Sequence, residues 1–181
     1  MDFSTALFDT LAQLPRWTDY YLAHDQTPHY AFLKRSLKAL QWLRGPGRWV
    51  LKSPQHLEQL GPLLATFPDA TIVVTHRDPV AVVQSTITLA CYGARTTYRS
   101  TRPAWYRDYW VDRIGRLLDA SLRDRQLLPP ERTVDVLFHE YMADEIGTVE
   151  RIHETAGWAL TDEARTAIDG YLAGHERGRD G

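Results

Sequence analysis

With 181 residues, 44% hydrophobic and 24% charged, the chain is long enough to bury a core and reads as one globular domain, or most of one, over 1–181. A net charge of −2 leaves no surplus of cations for a nucleic-acid backbone, so a general nucleic-acid binder is excluded and any positive site is local. Cys91 stands alone, which excludes a disulfide framework and a cysteine-based metal site, and no apolar run reaches membrane-spanning length.

In chain order, Phe3, Leu7, Phe8, Leu11 and Leu14 recur at helical spacing and predict a helix over 2–13, ended by Pro15. Residues 16–28 read as a polar, aromatic connection. A second helix is expected from His29 to Leu43, with Tyr30, Leu33, Leu37, Leu40 and Leu43 on one stripe, and Gly45-Pro46-Gly47 stops it. The run Arg48-Trp49-Val50-Leu51-Lys52 then predicts a buried strand, and Ser53-Pro54 a helix start with Ser53 as its cap. That helix carries Leu57, Leu60, Leu63, Leu64 and Phe67, with a bend at Gly61-Pro62 because Pro62 lacks the N–H for the preceding turn.

Thr71 to His76 predicts a second strand, and Asp78-Pro79 a capped third helix reaching Cys91, with Gly93 ending it. Residues 93–103 hold Arg95, Arg99 and Arg102 without a period and read as a loop, a candidate lid over an anion. A long helix follows from Pro103 to Gln126, and Pro129-Pro130 break it. Thr133 to Phe138 is the third strand candidate. Helices over 145–156 and 161–173 close the chain, the latter capped by Thr161, and a charged, Gly-rich tail frays from Gly174.

Two strand exits organise this pattern. Pro54 and Pro79 lie 25 residues apart, the spacing of a strand–helix–strand unit whose strands run parallel. Both exits then share the carboxyl edge of the sheet, where open α/β sheets bind ligands. Lys52, Arg77 and two helix N-termini suit a phosphate-like anion there. His56, in the first turn after Pro54, can take a proton from an acceptor hydroxyl, and Lys52 can offset charge on a bridging oxygen. The plainer readings are a solvated Lys52 and a partial helix cap for His56. Arg77 can fork onto a phosphate, with Ser85 two turns along the same helix; the plainer readings are a carboxylate pair for Arg77 and an ordinary helix serine. Asp78 is a helix cap.

Taken in order, "WVLKSPQHLEQLGPLLATFPDATIVVTHRDPVAVVQS" resembles the central segment of sulfotransferases that use 3′-phosphoadenosine 5′-phosphosulfate (PAPS). "DFSTALFDT" and "HYAFLKRSLKALQWL" are similar to the helices before that segment in the bacterial branch, and "DVLFHEYMADEIGTVERIHETAGWALTDEA" to the strand–Glu–Tyr–helix region after it. The resemblance implies that Arg77 and Ser85 hold the donor's 3′-phosphate and that Lys52 stands near the transferred sulfuryl group. It matches His56 to the catalytic histidine and Glu140 to a strand-end carboxylate with a structural role. Separately, the loop reading lets Arg95, Arg99 and Arg102 close over the donor, with a solvated loop as the plainer reading. The family's Gly-x-x-Arg-Ser/Thr-Gly-Thr loop is absent from the sequence.

The expected fold is therefore α/β: a partial P-loop-kinase-like sulfotransferase fold, a small parallel sheet flanked by many helices, with the first strand and phosphate loop missing. It looks like a sulfotransferase trimmed at both ends. The expected function is sulfuryl transfer from PAPS to a hydroxyl or amine of a small molecule or glycan, with weak or no turnover by this chain alone. No metal is expected, because the seven His are scattered. No nucleic-acid partner or membrane span is expected either, and the lack of a basic-then-apolar leader points to the cytoplasm. The alternative is a non-catalytic remnant that binds nucleotide or associates through an exposed sheet edge. A protein kinase, suggested by His76-Arg77-Asp78, fails because the metal-binding Asn expected five residues on is Val83.

Overall fold

The computed structural model describes residues 7–174. The chain forms two compact units, one of Met1–Ala70 with Asp78–Leu128, the other of Thr71–Arg77 with Pro129–Gly181.

The first unit is helical: α1 Leu7–Leu11, α2 Pro15–Ala23, α3 Thr27–Arg44, α4 Leu60–Thr66, α5 Pro79–Thr97 and α6 Pro103–Asp124. Its core forms where Ala90 and Ala94, one turn apart on α5, let α6 approach closely enough to bury Tyr106 and Trp110. Trp105 stacks on Tyr109 with centroids 4.9 Å apart and planes within 8°, which extends that aromatic face.

The second unit holds the sheet, β1 Ile72–His76 paired with β2 Thr133–Leu137, followed by α7 Phe138–Ala143, α8 Glu145–Thr155 and α9 Asp162–Gly174. The strands are parallel, with Ile72 opposite Thr133 and His76 opposite Leu137. Val74, Val134 and Val136 are its buried apolar positions. Thr161 caps α9, its Oγ1 accepting the Ala164 N–H at 3.1 Å.

Several expectations change. The run over 48–52 forms no strand: β1 pairs with β2 instead, and among the described residues no partner strand takes the backbone groups of 48–52. Val50 is 82% exposed, so its β-branched shape has nothing to pack against. The parallel pair is thus the second and third expected strands. Ser53 precedes a 3-10 turn, Pro54–Glu58, and makes no side-chain cap.

Pro15 begins α2 rather than only ending a helix, because its missing N–H falls at the first helical position. The part of the expected 2–13 helix before Leu7 lies outside the described residues, as does the tail after Gly174. The break expected at Gly61-Pro62 falls earlier, at Gln59, and Pro62 sits in the first turn of α4, where a backbone N–H would have no intrahelical acceptor and its absence costs nothing. Helix α5 runs through Gly93 to Thr97, since the buried contact of Ala94 offsets a glycine cost of about 1 kcal/mol. Helix α7 occupies what reads in sequence as a strand exit.

Candidate functional site

In the first unit, Lys52 and His56 flank the start of the 3-10 turn. Lys52 is exposed and makes no hydrogen bond or ion pair among the described residues. His56 is half-buried; its Nδ1 lies 2.7 Å from the hydroxyl of Tyr30, a buried residue of α3. The rings are tilted by 48° with centroids 5.7 Å apart. Burial pushes the imidazole pKa down, so the ring is neutral at pH 7. With Nδ1 engaged, Nε2 is the nitrogen left to meet a proton donor. Burial, and then the negative charge of Glu58, push the Tyr30 hydroxyl well above the phenol range, so it stays protonated.

Behind this turn lies a buried ionic cluster that the sequence reading misses. Arg113 of α6 forks onto Glu58, Nη1 donating to Oε2 at 2.7 Å and Nη2 to Oε1 at 2.6 Å. Its Nε donates to Asp9 Oδ2 at 3.0 Å. All three residues are at most 5% exposed. Asp9 Oδ1 also accepts the Thr18 hydroxyl at 2.7 Å, and Thr18 Oγ1 lies 2.6 Å from the hydroxyl of Tyr109. Burial leads the causes that push the Tyr109 hydroxyl up to about 12. The cluster ties the turn that carries His56 to α1 and α6. A signal was available: Arg113 falls three residues after Trp110 and seven after Tyr106, on the apolar stripe of its helix, and a cation there needs a buried partner.

Asp78 caps α5, its Oδ1 accepting the Val80 N–H at 3.1 Å, as its place before Pro79 implies. Ser85 is exposed two turns along α5. Arg95 is exposed in the last turn, ten residues further on and hence about 15 Å along the axis from Ser85. Arg99 and Arg102 lie in the short connection to α6.

In the second unit, Arg77 follows β1 directly and is exposed. Its guanidinium lies 4.7 Å from the centroid of Phe138, the first residue of α7. The carboxylate of Asp135, which stands on β2 opposite Val74, lies 2.7 Å from His76 Nε2. Arg77 therefore meets an aromatic face where a carboxylate partner was the plainer expectation, and its N–H groups keep their donor capacity. The adjoining exits at the carboxyl edge of the sheet are those of β1 and β2, not of the 48–52 run and β1. Glu140 is exposed in the first turn of α7.

Among the described residues no group of three His, Cys, Asp or Glu is placed to hold a metal ion, and no helix is long and apolar enough to cross a membrane. A family model described as "Sulfotransferase family" matches residues 1–162. The chain is similar to the crystal structure of sulfotransferase STF1 from Mycobacterium tuberculosis, at 31% identity and a TM-score of 0.80, over 94% of this chain and 47% of that one. It is also similar to sulfotransferase STF9 from Mycobacterium avium, at 27% identity and a TM-score of 0.86, over 98% of this chain and 46% of that one. The chain thus spans about half the length of these solved structures. No match was found among curated proteins.

Proposed function

This chain belongs to the sulfotransferase family, and from that premise we propose that its residues 1–181 form one sulfotransferase-like domain serving sulfuryl transfer from PAPS to a hydroxyl or amine of a small molecule or glycan. The acceptor oxygen or nitrogen attacks the sulfur in line, the bond from sulfur to the bridging oxygen of the 5′-phosphate breaks, and adenosine 3′,5′-bisphosphate leaves. His56 accepts the acceptor's proton at Nε2. Lys52 donates to the bridging oxygen as negative charge collects there. Arg77 and Ser85 bind the 3′-phosphate, and Arg95 lends charge to the donor's side.

The observation that carries the reading is the state of His56: a half-buried neutral imidazole, anchored through Nδ1, four residues after an unpaired lysine. Burial alone would make an idle histidine equally neutral, so the lysine four residues earlier in the sequence and the family resemblance are what give this ring the base role in the proposal. The 181 residues contain no Gly-x-x-Arg-Ser/Thr-Gly-Thr loop for the 5′-phosphosulfate, so transfer by this chain alone is weak in this reading. The test is thermal unfolding with adenosine 3′,5′-bisphosphate, then transfer of labelled sulfate from PAPS to a panel of hydroxyl and amine acceptors. Stabilisation that disappears in Arg77→Ala and Ser85→Ala supports the proposal. Stabilisation unchanged in both variants overturns the assignment of the 3′-phosphate.

A second reading is favoured by the exposed, unpartnered run at Val50 and Leu51: a nucleotide-binding partner that works only in association with another chain. It predicts a species larger than a monomer on sizing, and no transfer until that chain is added.

A further inference from the structure

We infer that the cleft between Gln13 and the Tyr98–Arg102 turn binds the anionic oxygens of a small ligand, a sulfate, phosphate or carboxylate group. This replaces the lid expected over 93–103 with a defined cleft of its own, and it does not depend on the assignments of Lys52, His56, Arg77 or Ser85. The cleft is open to solvent, offers about 400 Å³ and is lined by Gln13, Tyr98, Arg99, Ser100 and Arg102. That volume suits a monosaccharide or a nucleotide fragment. Its lining offers two guanidinium groups, two hydroxyls and an amide, and no carboxylate.

Exposed arginines on a loop are often only solvated, so the support beneath these two matters. Gln13 holds the turn at both ends: its backbone N–H donates to Tyr98 Oη at 3.1 Å, and its Oε1 accepts from Arg102 Nη2 at 3.1 Å. Tyr98 in turn packs on the core of Ala90, Ala94, Tyr106 and Trp110. Arg102 is therefore placed by a neutral partner that fixes its direction without neutralising it. Neither Arg99 nor Arg102 has an ion pair among the described residues, whereas Arg107, Arg113, Arg116, Arg123 and Arg165 all do. Two unneutralised guanidiniums three residues apart, on a braced turn facing one cavity, leave a positive potential that an oxyanion relieves by forked hydrogen bonds.

The anion can come from the phosphates of the donor nucleotide or from an acidic group on the acceptor. The test is a titration of the full chain, followed by amide and guanidinium NMR and by calorimetry, with three probes: inorganic sulfate, adenosine 3′,5′-bisphosphate and glucuronate. Sulfate is expected to shift Ser100 and the Arg99 and Arg102 guanidiniums. The Arg99→Ala/Arg102→Ala double variant should bind sulfate about tenfold or more weakly. Both side chains are exposed, so an unchanged circular dichroism spectrum is expected and separates loss of binding from loss of fold. Loss of nucleotide affinity in the same variant assigns the cleft to the donor; loss of glucuronate affinity alone assigns it to the acceptor. Sulfate affinity unchanged in the double variant, or shifts confined to other residues, overturns the inference. If Arg77→Ala leaves nucleotide binding intact while the cleft still titrates, the donor assignment has failed and the cleft stands.

Discussion

The hydroxyl of Tyr30 lies 2.7 Å from Nδ1 of His56, joining α3 to the 3-10 turn across 26 residues of chain. A phenol either donates or accepts, so the distance alone admits two tautomers. Burial, and then the charge of Glu58, keep that hydroxyl protonated, and the base role proposed for Nε2 requires the tautomer in which Nδ1 donates to the Tyr30 oxygen. In that tautomer His56 carries its own proton on Nδ1 and keeps Nε2 bare, the form a base requires. Imidazole ¹⁵N NMR is expected to show the Nδ1–H tautomer, and Tyr30→Phe to abolish the preference at a stability cost of about 1 kcal/mol. A wild-type spectrum with the proton on Nε2 would falsify this.

The same histidine gives stability a pH dependence. Its folded pKa lies below the ordinary 6.5 because burial penalises the charged ring. Below 6.5 the unfolded chain binds more protons than the folded one, so acid favours unfolding. This contribution is complete above about pH 6.5 and is lost as pH falls from there through the depressed folded value. Urea midpoints measured between pH 8 and 5 should fall across that window in the wild type and less in His56→Gln. Parallel curves for the two proteins would count against a buried neutral ring.

Arg113 bridges two carboxylates, Asp9 and Glu58, with all three side chains nearly sealed from water. Removing it leaves two uncompensated buried charges. Arg113→Ala is expected to lower unfolding free energy by about 3–5 kcal/mol, and Arg113→Met/Asp9→Asn/Glu58→Gln to recover part of that loss. Arg107→Ala, which breaks an exposed pair with Asp108, should leave the denaturation midpoint in place. A small loss in Arg113→Ala would mean that water reaches the carboxylates.

Phe138 backs the guanidinium of Arg77. Replacing it by leucine keeps apolar bulk and removes the negative ring face, which is worth about 0.5–1 kcal/mol at an exposed site. Phe138→Leu should therefore weaken adenosine 3′,5′-bisphosphate by about two- to fivefold, against a larger loss in Arg77→Ala. Calorimetry giving equal affinities for Phe138→Leu and wild type would show that the ring merely lies alongside.

Asp78 is a structural cap on α5, so Asp78→Ala should cost about 1 kcal/mol in thermal or urea unfolding. Asp78→Asn, which keeps the accepting oxygen, should cost less. Nucleotide affinity is expected to survive Asp78→Asn, and its loss there would assign the residue to the ligand.

Local chemistry was legible wherever a residue acts on its own neighbours. Asp78-Pro79 marks a capped helix start, Thr161 caps α9 and Ile72-Val73-Val74 makes a strand, because caps, proline rings and β-branched side chains act within a few residues. Membership of the sulfotransferase family was also legible, in the segments that resemble it, and the proposal for Lys52, His56, Arg77 and Ser85 rests on that resemblance.

Pairing was not legible. Val50 and Leu51 have the same apolar strand pattern as the residues of β1, yet one run pairs with β2 and the other stays open, because a strand's hydrogen bonds are completed by residues far away in the chain. The tie from Arg113 to Asp9 spans 104 residues and that to Glu58 spans 55. Only the packing of α6 against the 3-10 turn and α1 decides that these charges meet, and that the histidine beside them turns its Nδ1 toward Tyr30.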